Sequence, residues 1–230
     1  MQDLLDTLYN TFIVDDRWKF LTTGLGNTLL ITFFSLLMGM VLGFIVAIVR
    51  ATYDKTGKLK ILNFLFKIYL TVIRGTPVVV QLLIIYFVVF GSVNIDKLFV
   101  AVLAFGLNSG AYVAEIVRSG IMSIEKGQFE AGSSLGFSYA QTMIYIILPQ
   151  AFKNVLPALA NEAIVLLKET SVAGYIAVND LTKGGDYIRS VTYQAFLPLI
   201  CVAIIYLIMV MIMTWLVTKL ERRLAKNDKG

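Results

Sequence analysis

The chain has 230 residues, of which 58% are hydrophobic and only 15% are charged, and its net charge is +5. A mean hydropathy of +0.79 means more apolar surface than a water-soluble globule of this size buries, so the chain is an integral membrane protein. It has no His, a single Cys and no Walker A sequence, which excludes a histidine-based metal site, a disulfide framework and an ATP-binding loop of its own.

Uncharged stretches define the membrane spans, because about 20 apolar residues cross the hydrocarbon layer. Thirty uncharged residues separate Lys19 from Arg50, and twenty-nine separate Arg189 from Lys219. Three interrupted apolar runs lie between them, at 61–90, 98–121 and 139–176. We therefore expect an all-α bundle of five transmembrane helices over 20–220, preceded by an external segment at 1–19 and followed by a cytoplasmic tail at 221–230.

Small residues recur every four positions along the first span, at Ser35, Gly39, Gly43 and Ala47. Such a ridge lets another helix approach closely in a membrane. The ridge predicts packing within the chain, with a dimer contact as the alternative.

The distribution of Lys and Arg predicts the orientation. Basic residues collect at 50–60 and after Thr218, whereas the first 19 residues carry four Asp. Because short cytoplasmic loops are rich in Lys and Arg, the N-terminus is expected outside and the C-terminus in the cytoplasm. The basic balance therefore gives no indication of a nucleic-acid partner, and the polar loop 119–138 is cytoplasmic.

The second span contains a cation beside a helix breaker. Arg74 lies one turn after Thr71, and Pro77 follows three residues later. Pro77 removes a backbone donor and disfavours the helical conformation at Thr76, so the span is expected to be broken. Arg74 could hold an anion there, such as an α-carboxylate, or could satisfy the carbonyls at the break.

Two carboxylates lie inside later spans, where a charge costs at least about 2.5–3.5 kcal/mol without a partner. Glu115 shares a helical stripe with Asn108 and Tyr112, and it could bind a ligand ammonium or pair with an arginine. Glu162, next to Asn161, has no cation three or four residues away. Glu162 is the favoured ligand contact.

The loop after the third span carries a recognisable pattern. Glu130-Ala131-Gly132, then three residues, Gly136, then nine, then Ile146-x-Leu148-Pro149 resemble the E-A-A-x3-G-x9-I-x-L-P signature of the membrane subunits of binding-protein-dependent ABC importers. With Arg74-Gly75-Thr76-Pro77 and Lys168-Glu169-Thr170-Ser171, the chain is similar to the polar amino-acid permease family over roughly 23–220. Gly132 departs from the family's second Ala.

This resemblance implies a type I importer fold in a bacterial plasma (inner) membrane. It implies a coupling helix at about 127–136 that docks into a cleft of an ATPase. The expected coupling residues are Gln128, Glu130, Ala131, Gly132 and Gly136. The expected partners are two ATP-binding cassette subunits, a second permease copy in a homodimer, an external amino-acid-binding protein and membrane lipid.

The resemblance also implies the activity. The chain itself is not expected to be an enzyme or to hold a cofactor or metal, since ATP and magnesium belong to the partner ATPase. We expect alternating-access import of a polar, basic amino acid such as arginine, lysine or histidine. The candidate substrate-binding residues are Glu162, Arg74, Glu115, Asn108, Tyr112, Asn161 and Thr71. Import of glutamine, glutamate or cystine remains open, as do an ATP-independent small transporter or channel and a non-transporting scaffold.

Overall fold

The computed structural model describes residues 2–227, which are helical apart from short connections. A short helix, α1 (Gln2–Leu8), and two tight helical turns at Tyr9–Ile13 and Val14–Asp16 precede the first long helix. Residues 228–230, the end of the predicted cytoplasmic tail, lie outside the described residues.

The first long helix is α2 (Trp18–Thr56), with 39 residues. It stops where Gly57 adopts a left-handed conformation at φ 68° and its N–H donates to the Tyr53 carbonyl, the usual glycine signal for a helix end. Its small-residue ridge is buried against α5 (Lys97–Met122). A Cβ added at Gly43 would lie 2.5 Å from Val113 Cγ1. The ridge thus packs within the chain, as expected.

The second apolar run is broken at Pro77. Helix α3 (Lys60–Gly75) ends at Thr76, which is extended. Helix α4 (Val78–Ile84) follows and continues as a π-helical turn over Ile85–Val89. The helix axis bends by 111° between the two pieces. The run is therefore a sharply bent helix pair and not one straight helix.

The third span, α5, begins where the Asp96 side chain accepts a hydrogen bond from the Leu98 N–H. A short helix, α6 (Lys126–Ser134), follows it. The next span is continuous from Tyr139 to Ile176 and consists of α7 (Tyr139–Thr142), a π-helical turn, α8 (Leu148–Glu169) and a final 3-10 segment.

Two further helices complete the described chain. Helix α9 (Leu181–Thr192) is short and begins at the Asp180 cap, whereas α10 (Phe196–Asn227) is long and apolar. Among residues 2–227, four helices are long and apolar enough to cross a membrane, and the bent pair α3–α4 makes a fifth candidate. The all-helical bundle of up to five spans agrees with the sequence prediction.

The centre of the bundle is formed by α5. In its most apolar window 67% of residues are buried, compared with 11% in α10. Phe105 packs in one buried cluster with Ile31 and Leu166, and Val117 packs in a second cluster with Val155. Helices α2 and α8 therefore both pack against α5, and each contributes to both clusters.

Candidate functional site

Two cavities of about 500 Å³ each adjoin at Arg74 and Tyr112. The first, here called the carboxylate cavity, lies between α5 and α8 and is lined by Arg74, Tyr112, Glu115, Ser119, Asn154 and Glu162, among others. The second, here called the basic cavity, is lined by Arg50, Lys67, Leu70, Thr71, Arg74, Gly75 and Tyr112. Glu115 and Glu162 line the first cavity, Arg50 and Lys67 line the second, and Arg74 lines both.

Glu115 lies between two arginines. Its Oε2 is 3.3 Å from Arg74 Nη1, and its Oε1 is 3.8 Å from Arg118 Nη1. Arg118 also contacts Asp54, at 3.0 Å from Nη2 to Oδ2. The pairings of Glu115 with both arginines, left open by the sequence, thus occur together. These side chains are 28–42% exposed, and such partly solvated pairs are weak enough to exchange partners.

Arg74 makes a second contact through the face of its guanidinium. Its Cζ lies 5.8 Å from the centroid of the Tyr112 ring, within the range of a cation–π contact. Because Glu115 and Tyr112 are both on α5, the end of α3 is held against that helix. In this position, Arg74 lines both cavities.

Glu162 differs from Glu115 in its surroundings. It is 8% exposed, and its Oε1 accepts a hydrogen bond of 2.9 Å from Ser109 Oγ. Within residues 2–227 no Lys or Arg lies within salt-bridge distance of it. A buried carboxylate is costly without a positive partner. Since Glu162 lines the carboxylate cavity, this cavity is suited to receive a cation.

The other candidate ligand residues occupy different places. Thr71 lines the basic cavity, and its hydroxyl donates to the Lys67 carbonyl. Asn108 is buried and lines neither cavity. Asn161 is exposed and also lines neither of the two. Ligand contact by any of these residues remains a prediction.

Gln81 is a residue that sequence reasoning missed. Its Nε2 lies 2.7 Å from the Ile73 carbonyl oxygen and 3.0 Å from that of Thr76. Gln81, not Arg74, satisfies the carbonyls at the helix break. The available signal was a single polar residue within the apolar α4 sequence, four positions after Pro77.

The predicted coupling residues lie on and beside α6. Gln128, Glu130 and Ala131 are exposed, and Gly136 has φ +82° just after the helix end. Gly132 is buried, and a Cβ there would lie 2.6 Å from the Thr142 side chain. The glycine at the family's second Ala position thus lets α6 lie directly on α7.

Comparison with known proteins places this geometry in context. The profile of the family "Binding-protein-dependent transport system inner membrane component" matches residues 39–226. The chain is 38% identical over 211 residues to the arginine transport system permease protein ArtQ of Bacillus subtilis (strain 168), covering 91% of this chain and 94% of ArtQ. It is 38% identical over 207 residues to the glutamine transport system permease protein GlnP of Escherichia coli (strain K12), covering 89% and 92%.

A solved structure is similar throughout. The crystal structure of an amino acid ABC transporter with histidines superposes with a TM-score of 0.82 at 41% sequence identity. The match covers 91% of this chain and 96% of that one. The fold and the sequence therefore agree on the same class of protein over nearly the whole chain.

Proposed function

The chain belongs to the binding-protein-dependent transport system inner membrane components and is a permease subunit of an amino-acid ABC importer, and on this premise we propose that it carries a basic amino acid. ATP hydrolysis in these importers is located on a separate subunit. The proposal concerns the cargo, the residues that bind it, the orientation and the composition of the complex.

The observation that carries the cargo proposal is the buried Glu162 carboxylate. It faces the carboxylate cavity with one hydroxyl donor and no salt-bridge partner among the described residues. A cationic side chain of a ligand would supply the missing charge, while Arg74 would bind the ligand's α-carboxylate. Glu115 would take a second positive group when Arg74 turns from it to the ligand.

The names of relatives support two cargo classes. ArtQ is named for arginine, and the solved transporter is described with histidines. GlnP is named for glutamine. Glutamine import is therefore the second candidate, and its neutral side chain would leave Glu162 without a cationic partner.

The proposed complex contains two copies of this chain in a homodimer and two ATP-binding cassette subunits, which hold ATP and magnesium. An external binding protein delivers the amino acid. In this arrangement the N-terminus is outside and the C-terminus is cytoplasmic, as the basic loops favour. Helix α6 then faces the ATPase, with Gln128, Glu130 and Ala131 on its accessible surface.

The attachment of α6 supports the proposal of alternating access. It packs on α7 through Gly132 and Thr142, and α7 continues into α8, which carries Glu162. When ATP binding closes the two ATPases, a displacement of α6 is transmitted through α7 and α8 to the carboxylate cavity. The cavity opens outward to receive the amino acid and inward to release it.

The test is equilibrium dialysis of radiolabelled amino acids against the purified complex of this chain with its ATPase. Arginine is expected to bind more tightly than glutamine, and Glu162→Gln to weaken arginine binding by about tenfold or more, as for loss of one charge-assisted contact. Glu221→Gln, in the exposed end of α10, is the matched control. Preferential binding of glutamine, with no effect of Glu162→Gln, would contradict the proposal.

A further inference from the structure

We propose that Gln81 and Asn108 form a clasp that positions Arg74 for binding the carboxylate of the transported amino acid. The inference rests on the proposed function, because it assumes that Arg74 binds the ligand. Neither side chain of the clasp lines the carboxylate cavity or the basic cavity. They are therefore positioning residues that act through Arg74.

The first half of the clasp holds the backbone on both sides of Arg74. The Gln81 amide nitrogen donates to the carbonyl of Ile73, which immediately precedes Arg74, and to the carbonyl and hydroxyl of Thr76, two residues after it. Helix breaks leave carbonyls without their intrahelical donors. Gln81 supplies those donors and fixes the direction in which α3 ends.

The second half connects the break to the helix that carries the partners of Arg74. Asn108 Nδ2 donates to Gln81 Oε1 at 3.2 Å. Asn108 is on α5, one turn before Tyr112 and two turns before Glu115, the two residues that Arg74 contacts. The clasp thus sets the distance between the backbone of Arg74 and the α5 surface against which its side chain lies.

Burial makes the clasp specific for amides. Gln81 is 7% exposed and Asn108 is 3% exposed, so water does not readily replace their hydrogen bonds. Methionine at position 81 keeps the length of the side chain and loses both the donor and the acceptor. Glutamate at that position keeps the acceptor and places a charge against two carbonyl oxygens.

The experiment is a double-mutant cycle on the dissociation constant of radiolabelled arginine, measured by equilibrium dialysis with the purified permease–ATPase complex. Arg74→Gln is expected to weaken binding by about tenfold or more, and Gln81→Met by about three- to tenfold. The double variant is expected to bind no more weakly than Arg74→Gln alone, because the clasp acts only through Arg74. Gln194→Met, at an exposed glutamine outside the clasp, is the control and is expected to bind like the wild type.

The outcomes separate this inference from the function on which it rests. Wild-type affinity in Gln81→Met, or losses that multiply with those of Arg74→Gln, would refute the clasp and leave the proposed function standing. Wild-type affinity in Arg74→Gln would refute both the clasp and carboxylate binding by Arg74, whereas the cargo proposal is decided separately by Glu162→Gln. If Gln81→Met fails to assemble with the ATPase, Asn108→Leu, which removes the connection to α5 and leaves the break intact, is carried through the same cycle with the same expectations.

Discussion

Two glutamates in the same bundle, Glu115 and Glu162, have different surroundings. Glu115 is partly solvated between Arg74 and Arg118, whereas Glu162 is buried with Ser109 as its donor. An exchange of ion-pair partners at Glu115 costs little free energy, whereas an unpaired charge at the buried Glu162 costs much more. In the proposed function, we therefore expect the cationic group of the ligand to bind at Glu162 before Glu115.

A buried carboxylate outside the spans gives a prediction on stability. Asp180 caps α9 by accepting from the Thr182 and Lys183 N–H groups, and burial raises its pKa. Asp180→Ala should lower the free energy of unfolding by about 0.5–2 kcal/mol, measured as thermal unfolding of the solubilised complex.

Asp180→Asn is the informative control because asparagine caps equally well without a charge. A folded-state pKa above the unfolded one means that protonation favours the folded state, and this contribution is lost as pH rises through the folded value. The unfolding temperature of Asp180→Asn relative to wild type should therefore increase with pH. A difference that is constant with pH would contradict the assignment.

At the scale of helices, close packing in α2 and α6 depends on glycine. Lipid provides little hydrophobic drive between membrane spans such as α2 and α5, so the contact area between them must come from close backbone approach. The α2–α5 seam uses Gly39 and Gly43, and the α6–α7 contact uses Gly132. Gly43 and Gly132 can each be compared with a glycine on the same helix that has open space around it.

Gly43→Ala is predicted to destabilise the bundle. The new Cβ would lie 2.5 Å from Val113 Cγ1 and 2.9 Å from the Ala114 backbone nitrogen, and overpacking of this kind costs about 1–3 kcal/mol. Gly26→Ala, on the same helix with nothing within 4 Å, should be neutral or more stable by about 0.5–1 kcal/mol. Thermal unfolding of both variants tests this packing. Equal changes in unfolding temperature would contradict a close α2–α5 contact at Gly43.

Gly132→Leu is predicted to uncouple transport from ATP hydrolysis. The side chain would displace Thr142, which a Cβ alone approaches to 2.6 Å, and would lift α6 from α7. We expect amino-acid uptake per ATP hydrolysed to fall by more than about half, since the displacement of α6 no longer reaches α8. The control is Gly127→Ala, which has open space around it and should keep the wild-type ratio of uptake to ATP hydrolysis in proteoliposomes. A wild-type ratio in Gly132→Leu would mean that α6 acts without α7.

At the scale of the whole molecule, the outer surface of α10 is free in the single chain. Its exposed apolar residues include Ile204, Leu207, Ile208 and Met211. Lipid or a second copy of the chain would cover them in the membrane. The central position belongs instead to α5, which carries Tyr112 and Glu115 of the carboxylate cavity.

The orientation proposal predicts a pattern of labelling. In a Cys201→Ser background, cysteine introduced at exposed Ser92, between α4 and α5, should react with a membrane-impermeant maleimide in intact cells. Cysteine at exposed Ser134, at the end of α6, should react only after permeabilisation. The reverse pattern would place α6 outside and remove it from reach of an ATPase.

The amino-acid sequence by itself determined the membrane class, the helical spans, the break at Pro77 and the family, because apolar run length, proline and a spaced motif are local properties of the chain. The family and the inner-membrane location were confirmed by the relatives. Only the tertiary structure decided that Glu115 lies between two arginines, that Glu162 faces a cavity and that Gln81 satisfies the break. These depend on contacts between α3, α4, α5 and α8, and helical spacing within one segment specifies which residues share a face but not what that face meets.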